Sequence, residues 1–281
     1  MIYYTNKGLL YFVYFLKSAQ IYILNASIFK ILKDMSGHSK WSTIRRKKGA
    51  NDARKGKLFS KIVKEIQVSV KEGGSDAESN PRLRLAIQNA KGVNMPKENI
   101  DRAIKKASSE GASLQEVTYE GYGPSGVAMY IECLTDNNLR TVSNIRSVFN
   151  KRGGNLGTNG SLNYLFDRKG VFTVPKGDFD PEEFELEIID AGVEECELED
   201  DIYIITTSLE DFGNVQKKLD EMGIHIENAE LQRIPNNTKK LDIQSAGKVL
   251  KTIEDFEELD DVQNIYHNLE ITEEIEELMK E

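Results

Sequence analysis

Between Lys169 and Pro235 the chain alternates between strand and helix period, and that succession restricts the fold more than any other feature. "KGVFTVP" reads as a strand and "DPEEFELEIIDAG" as a helix. "VEECELEDDIYIITTS" reads as a hairpin turning at Glu199–Asp201, "LEDFGNVQKKLDEMG" as a second helix, and "IHIENAELQRIP" as a last strand. The order β-α-β-β-α-β is the split βαβ, or ferredoxin-like, arrangement. Upstream, "GVAMYIECLT" predicts a strand, "RTVSNIRSVFNKRGG" a helix with Val142, Ile145, Val148 and Phe149 inward, and "GSLNYLFDRKGVFTVP" two strands about a turn at Asp167–Gly170. Downstream, a loop through Asn237 leads to a helix around "SAGKVLKTIEDFEEL" and a strand "VQNIYHNLEI". Residues 112–168 with 236–281 are thus expected to form a second α/β domain of similar type, interrupted by the one at 169–235.

Residues 35–111 follow a different period. In "RKGKLFSKIVKEIQVSVKEGG", Leu58, Phe59, Ile62, Val63, Ile66 and Val70 make one apolar helix face, and Gly73-Gly74 ends it. Arg54, Lys57, Lys61, Lys64 and Lys71 fall on the opposite face. A second helix is capped by Asn80 with Pro81 at its first position, carries Leu83, Ala86, Ile87 and Ala90 inward, and closes at Gly92. Arg84, Gln88 and Lys91 point away from that stripe. A third helix starts at Pro96 with Ile100, Ala103, Ile104 and Ala107 inward, and Lys105 and Lys106 near its C-terminus suit the helix dipole. The fold class expected for the whole chain is α+β: an N-terminal helical bundle followed by two ferredoxin-like α/β domains, one inserted in the other.

Charge is distributed as unevenly as structure. The chain carries a formal net charge of -9 over 281 residues. Residues 1–34 contribute +3, residues 35–110 contribute +10, and residues 111–281 contribute -22. Such asymmetry points to a basic module that meets a polyanion, joined to an acidic body that stays clear of it. "KWSTIRRKK" places Lys40, Arg45, Arg46, Lys47 and Lys48 around the aromatic Trp41, ahead of any apolar periodicity. A Trp in a basic arm has little core to enter but can stack on a base. The predicted nucleic-acid-binding set is therefore Lys40, Trp41, Arg45, Arg46, Lys47, Lys48, Arg54, Lys55, Lys57, Lys61, Lys64, Arg84 and Lys91. The cations would neutralise phosphates, a sequence-independent term. Nothing spells a helix-turn-helix, a zinc finger or an RNA-recognition sheet.

The rest of the chemistry is sparse. His38, His225 and His267 are scattered, the last two in predicted strands. "RGGNLGTNG" matches neither phosphate-loop spacing and reads as a helix end leading to a strand. Asp136, Asn137 and Asn138 suit a turn and an N-cap, with Arg140 in the first helical turn; the cluster also offers a contact surface. Cys133 and Cys196 read as buried or half-buried thiols of a reducing compartment. No catalytic residue, metal site, cofactor or small-molecule substrate is expected, and the protein is expected to act as a monomer in the cytoplasm. In residues 1–34, Lys17 divides two apolar runs, so neither has the ~18–20 residues of a membrane span. The first expectation is that translation starts at Met35; the second is a membrane-associating leader.

Several long stretches also resemble a known family. "MSGHSKWSTIRRKKGANDARKGKLFSKIVKEI", "NPRLRLAIQNAKGVNMPKENIDRAIKKA", "YEGYGPSGVA", "ECLTDNNLRT" and "KRGGNLG" are similar to the YebC/PmpR family of probable transcriptional regulatory proteins, from Met35 to about Glu270. The resemblance implies three domains and a non-enzymatic regulator that binds DNA. A related mitochondrial protein resembles a translational activator, which implies mRNA or the ribosome as the alternative partner. A protein-binding adaptor that uses the acidic α/β domains is the reading from another class. Two positions depart from the family pattern. Ser125 stands where a Gly is usual, which implies a backbone with less need of positive φ. Asn138 stands where a basic residue is usual, which weakens that loop as an electrostatic site.

Overall fold

A computed structural model of the protein describes residues 52–109, 114–177, 179–199 and 201–280. Three helices come first: α1 (Asp52–Gly73), α2 (Pro81–Gly92) and α3 (Lys97–Ser109). Their apolar stripes meet in one core of Ile66, Val70, Leu83, Ala86, Ala90, Ile100 and Ala103. Each large aliphatic side chain buried there contributes roughly 1.5–3 kcal/mol relative to exposure. Asn80 joins α1 to α2. Its Oδ1 accepts the Leu83 N–H at 3.0 Å, while its Nδ2 donates to the carbonyls of Ser69 and Gly74 at 2.7 and 2.8 Å. One buried amide thus caps the start of α2 and satisfies carbonyls left open at the end of α1.

Two four-stranded antiparallel sheets follow. The first holds β1 (Gln115–Tyr122), β2 (Ala128–Thr135), the short β3 (Asn155–Leu156) and β8 (Val262–His267), in the order β3-β1-β2-β8. α4 (Asn138–Lys151), α7 (Ile243–Glu257) and α8 (Glu273–Lys280) cover one face, where Ile131, Phe149, Val249, Phe256 and Ile275 pack together. The second sheet holds β4 (Phe166–Pro175), β5 (Val193–Glu199), β6 (Ile202–Thr207) and β7 (Asn228–Pro235), in the order β5-β6-β4-β7. α5 (Pro181–Ile189) and α6 (Phe212–Glu221) cover it through Phe172, Phe184, Tyr203, Val215 and Leu219. Its chain order is the split βαβ expected from the sequence. The first sheet reaches the same four-stranded build by a different chain order, opening with a hairpin. The fold is α+β.

Three local expectations change. Asp167–Gly170 is not a turn: β4 runs unbroken, pairing with β7 from Phe166 opposite Pro235 to Thr173 opposite Asn228. Gly170 sits mid-strand because Phe212 and Thr207 occupy the space a Cβ would need. α2 does end at Gly92, as expected, with Asn94 beyond it as the left-handed residue, at φ 58°. A Cβ on Gly92 would overlap the Glu227 carbonyl, so this glycine serves the close approach of α2 to the second sheet. Ser125 adopts the left-handed conformation, at φ 57°, against the expectation of a backbone with less need of positive φ. The turn between β1 and β2 demands it: Gly126 N–H bonds the Gly123 carbonyl, and Gly123 N–H bonds Val127 at 2.8 Å. A side chain there costs on the order of 1 kcal/mol. Also, His225 lies in the loop before β7 rather than in a strand, whereas His267 is buried in β8.

Candidate nucleic-acid interface

The predicted binding residues divide into three groups. Lys40, Trp41, Arg45, Arg46, Lys47 and Lys48 lie outside the described residues, and of Arg54 only the backbone, in the first turn of α1, is described. Lys57, Lys61 and Lys64 form a stripe along α1, one turn apart, as their spacing predicts. That stripe faces inward onto the turn between α7 and β8. Lys57 Nζ pairs with Glu258 at 2.5 Å, Lys61 Nζ donates to the Gln263 carbonyl at 2.9 Å, and Lys64 Nζ donates to the Asp260 carbonyl at 2.7 Å. The acidic body therefore takes up part of the cationic face that the sequence reading reserved for phosphate. Lys55, Arg84 and Lys91 form the third group and are exposed. The Lys55 ammonium lies 6.0 Å from the Phe59 ring centroid.

Asp261 anchors this turn. Its carboxylate is nearly buried, accepts from Arg140 Nη2 at 2.9 Å and Thr141 Oγ1 at 2.8 Å, and lies 3.5 Å from Lys64 Nζ. Burial alone pushes its pKa up; the Arg140 and Thr141 hydrogen bonds and the Lys64 charge outweigh that and leave it below the ordinary carboxyl value. Asn137 caps α4, its Oδ1 accepting from Arg140 N–H at 3.0 Å. Arg140 also pairs with Asp136 at 2.8 Å, and Asn138 accepts the Tyr119 hydroxyl at 2.5 Å. The polar cluster of this loop is thus spent on the fold.

The predicted binding set leaves out the exposed cations of α3. Lys97, Arg102, Lys105 and Lys106 are all exposed. Their signal was present: Arg102, Lys105 and Lys106 lie within one turn of each other, opposite the Ile100–Ala103–Ala107 stripe. A dipole role for Lys106 does not require an empty flank, and among the described residues neither Arg102 nor Lys106 has an ion-pair partner. Cys133 is buried and Cys196 half-buried; burial pushes both thiols up to about 12. Among the described residues no cluster of three or more His, Cys, Asp or Glu could hold a metal, and no helix is long and apolar enough to cross a membrane.

Comparison with known proteins fixes the relationship. Residues 39–110 match the family model described as the TACO1/YebC protein N-terminal domain, and residues 114–269 match the TACO1/YebC second and third domain. A protein of Amoebophilus asiaticus is 53% identical over 239 residues, 84% of this chain and 98% of that protein. One of Chlorobaculum parvum is 47% identical over 250 residues, 88% of this chain and 100% of that protein. Both bear the name "Probable transcriptional regulatory protein". The crystal structure of a conserved hypothetical protein from Aquifex aeolicus superposes with a TM-score of 0.73 at 46% identity, covering 80% of this chain and 93% of that one. The chain belongs to the TACO1/YebC family.

Proposed function

We propose that the protein is a non-enzymatic regulator of transcription that binds nucleic acid through its basic N-terminal portion. In this reading the chain works as three units. Residues 35–111 bind; residues 112–168 with 236–281, and residues 169–235, form the two acidic α/β units. The observation that carries it is the charge division, +10 over residues 35–110 against -22 over residues 111–281. Lys40, Trp41, Arg45, Arg46, Lys47 and Lys48 contact the polymer, with Lys55, Arg84 and Lys91 as exposed helical support. The relatives' name is that of a transcriptional regulator, and DNA is the polymer proposed on that ground.

A second reading, a translation factor acting on mRNA or the ribosome, has one observation in its favour. The stripe Lys57, Lys61 and Lys64 of α1 is turned onto the acidic turn, so those three cations are not presented to a DNA groove. Sedimentation of a lysate of cells making the full chain separates the two. Transcriptional action predicts protein at the top of the gradient and sequence-selective retention of promoter fragments. Co-migration with ribosomes that survives DNase and is abolished by changing Arg45, Arg46, Lys47 and Lys48 to Ala would overturn transcription in favour of translation.

A further inference from the structure

α1 and α3 leave a groove of about 310 Å³ between them, at the small end of the roughly 300–1,000 Å³ of ligand sites. Its floor is apolar: Phe59 and Val63 from α1, half-buried, and the buried Met95 just ahead of α3. Core side chains with a partner helix on every side would be covered; here one face of the Phe59 ring lies under the Lys55 ammonium. Two half-buried amides, Gln67 and Asn99, stand at the groove wall. Among the described residues neither amide has a hydrogen-bond partner. Each offers a donor and an acceptor. Arg102 and Lys106 line the same groove from α3, one turn apart and without ion-pair partners among the described residues.

An aromatic and thioether floor, amides at the edge and cations beside them are complementary to a flat heterocycle that carries donors and acceptors on its rim and phosphates on either side. A duplex cannot supply this, because its bases are stacked and their pairing edges used. An aliphatic peptide side chain would leave both amides unpaired, at a cost. We propose that the groove takes one unstacked base of a single-stranded nucleic acid, its edge on Gln67 and Asn99, its face on Phe59 and its neighbouring phosphates on Arg102 and Lys106. The inference rests on the nucleic-acid reading above and names the form of polymer that this part of the protein selects.

The test uses the full chain and fluorescent 12-mers: RNA, DNA of the same sequence, and the blunt DNA duplex. Gln67→Ala with Asn99→Ala should weaken binding of the preferred single strand roughly tenfold, as loss of two hydrogen bonds predicts, and leave the duplex affinity unchanged. Phe59→Leu, which keeps an apolar floor, should cost the single strand about five- to hundredfold, with circular dichroism confirming that the helices persist. Strands carrying 5-iodouracil should photo-crosslink within the Phe59 to Gln67 stretch. An effect confined to RNA, to DNA, or shared by both single strands would support the groove and identify its source. Equal affinities for strand and duplex that the amide variant leaves untouched would overturn it, even while nucleic-acid binding itself stands. If the unaltered chain binds none of the three, the functional reading falls and the groove with it.

Discussion

At the scale of single residues, Asp261 shows how closely the two charge classes of this chain are joined. It holds Arg140 and Thr141 at the start of α4 and faces Lys64 of α1. Its pKa lies below the ordinary value, so its stabilising contribution is complete above the ordinary carboxyl pKa of about 4 and is lost as pH falls through its lower folded value. Asp261→Asn removes the carboxylate that faces Lys64 and leaves Arg140 with Asp136 as its one acidic partner among the described residues. We predict a loss of about 2 kcal/mol at pH 7, seen as a thermal midpoint lowered by roughly 4–8 °C, with a shallower fall below pH 4 than the unaltered chain shows. An unchanged midpoint at pH 7 would mean that the network adds nothing to stability. Nothing in the composition singles out this Asp among the many carboxylates of the chain. Its partners lie up to 197 positions away in sequence, and only the fold brings them to it.

At the scale of elements, the pattern of the chain was legible wherever one face of a segment decides its fate. α1, α2 and α3 follow their apolar stripes, Asn80 caps where its position says, and β4-α5-β5-β6-α6-β7 follows the expected order. Misreadings occurred where a glycine or a short apolar spacing had a tertiary reason. Gly170 reads as a turn in the sequence because the residues it accommodates, Thr207 and Phe212, belong to other elements. No element is predicted from the sequence at α8, although Ile271, Ile275 and Met279 recur at helical spacing and are buried; the acidic composition of this segment disguises a docked helix. The cap Asn89 makes with β7 was equally invisible: its side chain donates to the Ala229 carbonyl at 2.8 Å and accepts the Ala229 N–H at 3.0 Å, as a neighbouring strand would. That pairing and Gly92 seat α2 against the second sheet. Gly92→Ala would force α2 off Glu227, and we predict a cost of about 1–3 kcal/mol, with faster amide hydrogen exchange in β7 as its local signature. A midpoint and exchange pattern equal to the parent's would show that α2 yields freely.

At the scale of the whole molecule, the helices touch both α/β parts: Lys57, Lys61 and Lys64 meet β8 and the turn before it, Asn89 and Gly92 meet β7 and the residue before it, and Gln88 bonds Gln216 of α6. The two sheets are joined in turn by Arg233 of β7, which lies 3.9 Å from the Tyr130 ring centroid and bonds Glu132 at 3.1 Å. The sequence reading set a cationic end apart from an anionic body. In the folded protein they are partly neutralised against each other, which leaves Lys55 of α1, the exposed cations of α2 and α3, and the chain before α1 to meet a polyanion. The most direct test of that claim is the salt dependence of nucleic-acid affinity, measured on the full chain between 50 and 200 mM salt. If about six phosphates are neutralised, log affinity should fall against log salt with a slope near -5 for duplex DNA or about -4 for a single strand. Changing Arg45, Arg46, Lys47 and Lys48 to Ala should make the slope shallower by about three. A slope that these four changes leave unaltered, or no measurable attraction at the lowest salt, would contradict the account.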